Sequence, residues 1–140
     1  IAFGTLPAVA TLSASPPRWP APWALTASAL LGVAAHLANV LPDLGDDVST
    51  GVHGLPHRLG ARATSLAAAA ILLAASAVIL FGPGGPPSSW RAAGFVAALL
   101  VAATAAWTAY LNPSSRRFFQ ATILIAAMNL AFFPLSGSHL

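Results

Sequence analysis

Apolar and polar residues are distributed along this chain in long blocks. Five apolar runs stand out. The first extends to about Ser15, the second from about Trp23 to Leu41, and the third from about Ala63 to Phe81. The fourth spans about Arg91 to Leu111 and the fifth about Phe118 to Leu135. Each complete run has roughly 18–21 residues, enough for a helix to cross a hydrocarbon layer of about 30 Å. Only helices and closed barrels satisfy the backbone inside lipid. Runs this long and this rich in Ala and Leu are helices. The predicted class is all-α: a polytopic transmembrane helical bundle of about four full membrane helices plus part of a fifth.

The separators between runs agree. "SPPRWPAPW" and the Gly/Pro-rich "GPGGPPSSW" cannot continue a helix, and "NPSSRR" closes the fourth run. Trp19, Trp23, Trp90 and Tyr110 fall at run ends, where interfacial aromatics belong. Residues Ile1 to Ser13 are too few to cross a bilayer and have no basic flank, which makes a poor signal peptide. The expectation is a chain that begins within a membrane helix. Residues 1–140 would then form a single membrane domain of something longer.

Composition sharpens this. The chain is 57% hydrophobic and 6% charged, against about 25% charged in a typical soluble domain. Mean hydropathy is +0.78. Six Arg and three Asp cannot cover a soluble fold of 140 residues. The net charge of +3 comes from scattered Arg without a basic cluster. That pattern fits membrane lipids as partners and argues against nucleic acid. The absence of Cys excludes disulfides and thiolate metal sites. If the chain crosses at each run, loops 42–62 and 112–117 share a side and carry Arg58, Arg62, Arg116 and Arg117. Arg18 and Arg91 lie opposite. The positive-inside rule makes the four-Arg side cytoplasmic in a cell or inner membrane.

All the acidity is local. Asp43, Asp46 and Asp47 are the only acids. Asn39, Asp43 and Asp47 recur at intervals of four, which aligns them on one face if the backbone there is helical. Two carboxylates at that spacing repel unless a cation lies between them. Hard Mg²⁺ takes such oxygen ligands together with substrate phosphates, and zinc or copper suits them poorly. Pro42 predicts either a kink or a restarted helix here. Asp46 points about a hundred degrees away from Asp47 and reads as a solvated neighbour.

The stretch from Asn39 to Gly60 resembles the second Asp-rich motif of the UbiA-type intramembrane prenyltransferases. That motif has the form N-x-x-x-D-x-x-x-D-x-x-x-G, with a Leu-Pro-bearing turn and a Leu-Gly at the next helix. Asn39, Asp43, Asp47 and Gly51 stand in that register, followed by "GLPHRLG". "AFGTLPAVATL" is similar to the start of the family's fifth membrane helix. The resemblance implies nine membrane helices, two facing Asp-rich motifs and Mg²⁺ as cofactor. It implies transfer of an isoprenyl group from an isoprenyl diphosphate to an acceptor, by family default an aromatic or quinone precursor. Asp43 and Asp47 become the catalytic metal ligands, and Asn39 and Arg58 the diphosphate-binding residues. The family's first Asp-rich motif has no counterpart among these residues. The chain would correspond to the fifth through ninth helices and would be inactive alone.

Other polar residues have plainer readings. Arg58 and Arg62 serve equally as headgroup anchors, as do Arg116 and Arg117. His53 and His57 have a metal-like spacing, but Pro56 between them opposes a shared helical face. His36 is either functional or a packed His bonded to a carbonyl. Asn129 is either interhelical glue or part of the substrate-cavity lining, and the small-residue runs are packing surfaces. The competing function is a non-enzymatic polytopic membrane protein, a transporter or scaffold fragment with a cation-binding acidic loop. Transporters place charge near the bilayer midplane, whereas these acids lie at a helix end. The sequence does not set oligomeric state, acceptor or isoprenyl length.

Overall fold

Proline sets two of the helix starts. Pro22 opens α2 (Pro22–Val40) and Pro56 opens α3 (Leu55–Phe81), each within the first two positions, where a missing N–H costs nothing. They follow α1 (Ala2–Leu12) and precede α4 (Ser89–Leu111). The computed structural model describes residues 2–42, 44, 54–84 and 89–111, and those from 120 to 131 except 122, 126 and 130. The described residues between 120 and 131 are helical too, and no strand occurs among the described residues. The chain is therefore all-helical there. α2, α3 and α4 are each long and apolar enough to cross a membrane, and α1 is shorter.

One boundary differs from expectation. Residues 55–62, expected in the loop 42–62, belong to α3. Pro56 pre-sets the first turn, Gly54 donates its N–H to His57 Nδ1 at 3.1 Å, and the Arg58 N–H reaches the Gly54 carbonyl at 3.3 Å. These contacts start a helix that hydropathy alone does not reveal. Gly60 then interrupts it, with φ 77° and ψ 166°. Only glycine adopts that backbone readily. After the break, residues 61–81 follow the apolar run closely. The Thr64 hydroxyl, fully buried, donates to the Pro56 carbonyl at 3.2 Å across the break. A side-chain proton thus serves a carbonyl that the interrupted ladder would otherwise leave to its own devices.

The helices run antiparallel. α2 lies chiefly against α3, with α1 on α2 and α4 on α3. Alanines make the α2–α3 contact possible: Ala24, Ala27, Ala68 and Ala75 are fully buried. At one end, a Cβ on Gly82 would collide with the Trp23 side chain and the Val78 carbonyl. Trp23 is accordingly buried under the α3 terminus, while Trp19, Trp90 and Trp107 are exposed. At the other end, Arg62 donates to the Tyr110 carbonyl at 3.2 Å and sits 5.2 Å from the Tyr110 ring centroid. That contact ties the start of α3 to the end of α4. The core comprises Ala34 of α2, Leu72 of α3, Ala98 and Ala102 of α4, and Ile125.

Candidate functional site

The site proposed from sequence lies where α2 ends. Helical hydrogen bonding runs to Val40, and Leu41 keeps helical dihedrals, with its N–H on the Ala38 carbonyl at 3.3 Å. Leu41 and Pro42 form a turn, and Leu44 is again helical. Pro42 thus interrupts the helix, as its missing donor requires. Asp43, Asp46, Asp47, Gly51 and His53 lie outside the described residues. Among the described residues no three His, Cys, Asp or Glu side chains come together.

Asn39 is exposed on the last turn of α2. Its amide is therefore open to a ligand at this end. His36, one turn earlier, is also exposed, so it is not the packed histidine that was one of its two readings. Arg58 is exposed on the first turn of α3, before the Gly60 break. Asn39 and Arg58 share one end of the α2–α3 pair. Leu41 packs against Ala69, and α3 continues from Ala69 back to Ala61 for a further 12 Å or so, roughly, at about 1.5 Å per residue. Arg58 precedes the Gly60 break, and the Thr64–Pro56 hydrogen bond holds this first turn back beside Thr64.

The other residues separate clearly. Arg62 is engaged with Tyr110 and anchors α3 to α4. Trp107 stacks on Tyr110 with ring centroids 6.3 Å apart, so the anchor ends in an aromatic ledge. His57 holds the Gly54 N–H through Nδ1, which commits that nitrogen to the helix start. A metal could then meet only its other nitrogen, which is buried.

Sequence reasoning missed a second polar cluster, at the far end of α3. Ser76 is buried and its hydroxyl lies 2.9 Å from the Leu72 carbonyl and 2.8 Å from Asn129 Oδ1. Asn129 is buried as well, at 3% exposure. Asn129 joins helices through Ser76, the first of its two readings, and it also lines a small pocket with Arg91, Phe95 and Met128. The signal available in sequence was a lone hydroxyl in the run "AAAAILLAASA". No protein-family model, curated protein or solved structure matches this chain.

Proposed function

We propose that this chain is part of a Mg²⁺-dependent, membrane-embedded prenyltransferase of the UbiA type. Its span-length helices, with the C-terminal helical stretch and α1, would make up four full crossings and part of a fifth, with the Asp-bearing loop on the cytoplasmic side. The observation that carries the reading is the sequence spacing of Asn39, Asp43 and Asp47, with the Asn39 side chain exposed at the end of a span-length helix. An all-oxygen donor set of two carboxylates and an amide suits Mg²⁺ and a diphosphate.

Asp43 and Asp47 would hold the metal. Asn39 would orient a diphosphate oxygen through its amide N–H. Arg58 would neutralise the outer phosphate. Mg²⁺, when bound, supplies charge stabilisation on the departing diphosphate. In the transfer, the allylic C–O bond breaks, the electron pair leaves with diphosphate, and the acceptor forms the new bond and loses a proton. Apolar helix faces would keep water from the cation. The chain has one acidic cluster only, so a second acidic motif must come from elsewhere in the working enzyme.

The test uses the intact gene product in membranes, with a radiolabelled isoprenyl diphosphate and a membrane extract as acceptor. Mg²⁺-dependent transfer of label to the extract is expected. Asp43→Asn and Asp47→Asn should each lower it by about a hundredfold or more, with membrane insertion unchanged. Full activity in both variants would refute the assignment.

A further inference from the structure

The Ser76–Asn129 pair leaves one polar atom over. Ser76 has a single hydroxyl proton, yet both of its neighbours, the Leu72 carbonyl and Asn129 Oδ1, are acceptors. One proton cannot serve both fully. With Oδ1 toward Ser76, Nδ2 is left, and it has no partner among the described residues. A residue that is 3% exposed thus keeps an unsatisfied amide N–H. Leaving such a group dry costs about 1–3 kcal/mol.

The same residue forms a wall of a pocket between α3, α4 and the C-terminal helical stretch. Ser76, Ile79, Arg91, Phe95 and Met128 also line it. The pocket admits the centre of a water-sized sphere over about 10 Å³. That matches one water, for which about 10–15 Å³ is needed along with two to four polar partners. Two partners are present: the spare amide N–H of Asn129 and a lone pair of Ser76 Oγ. The pocket lies near the α3 terminus opposite Arg58, so it is separate from the Asp-bearing end and does not depend on the proposed activity.

We propose that this pocket is a single-water site. The water satisfies the Asn129 amide and links the C-terminal helical stretch to the α3–α4 pair. The volume excludes a larger head group without movement of Phe95 or Met128.

The test is solid-state NMR of the whole protein in lipid bilayers, with ¹⁵N-labelled asparagine. Magnetisation is transferred from water to the side-chain amides. A water-derived signal is expected at the Asn129 amide, and it should be lost in Asn129→Leu, which assigns it. If that variant does not accumulate, Asn129→Ala serves the same purpose. The wild-type measurement decides the matter either way. An Asn129 amide that receives magnetisation only from lipid chains marks a dry pocket and overturns the proposal. Transfer from a lipid hydroxyl, in place of water, marks a head-group occupant and also overturns it.

Discussion

Replacing Gly60 with alanine isolates the break in α3. The native dihedrals, φ 77° and ψ 166°, fall in a region open essentially to glycine alone. An L-residue held there costs about 1–3 kcal/mol. Nothing lies within 4 Å of the added Cβ, so no collision contributes. The alternative for the chain is to straighten. Alanine would then gain about 1 kcal/mol of helix propensity over glycine. Straightening would, however, break the buried Thr64–Pro56 hydrogen bond, worth about 0.5–1.5 kcal/mol net, and lift the buried Pro56 from its seat. The two terms of the straightened route nearly offset before repacking is counted. Gly60→Ala is therefore expected to destabilise by about 1–3 kcal/mol. Gly60→Asn should do the same, because asparagine tolerates the left-handed helical region but not this one. The assay is reversible unfolding in mixed micelles followed by far-ultraviolet circular dichroism. Thr64→Val in the Gly60→Ala background tells the routes apart: additive losses mean the break persists under strain, and a silent second change means the helix has straightened. A Gly60→Ala protein more stable by about 1 kcal/mol, as for glycine in an ordinary helix interior, would refute the break.

Two further outcomes follow from the helix ends. Gly82 has ordinary helical dihedrals, so Gly82→Ala adds no backbone strain and tests close approach alone. Its Cβ would strike Trp23 and the Val78 carbonyl, and a loss of about 1–3 kcal/mol is expected in the same unfolding assay; an unchanged midpoint would mean the ends of α2 and α3 are not in contact. Arg62→Lys keeps the charge but loses the planar group that reaches the Tyr110 carbonyl and covers its ring. Hydrogen exchange in the last turn of α4 should speed up to match a loss of about 0.5–1 kcal/mol, and Arg58→Lys should leave it unaltered.

The bundle was legible because its signals are long and redundant. An apolar run such as Ala63–Phe81 survives the loss of any one residue, and Pro22 marks a start by local chemistry alone. The first turn of α3 was not legible. It depends on Pro56, His57, Gly60 and Thr64 acting together over several positions, and its hydropathy is that of a loop. At the candidate site, the exposure of Asn39 and the role of Pro42 follow from helix spacing and a missing donor. The placing of Arg58 on a turn folded back on Thr64 does not, because it depends on the break at Gly60. Ser76 and Asn129 are 53 positions apart. Which polar residue finds which partner is decided by helix packing, and no local pattern encodes it.

The alanine seam between α2 and α3 has a consequence for how such a sequence can drift. Outward-facing Val96 and Leu100 of α4 are 53% and 63% exposed and answer only to their solvent. α4 is long and apolar enough to cross a membrane, and at a lipid-facing position one apolar side chain serves as well as another. Ala27, Ala68 and Ala75 are fully buried. An enlarged side chain there must displace its neighbours. Tolerance to substitution in this protein is thus organised by helix face, and natural variants should be plain on the seam and diverse on the rim.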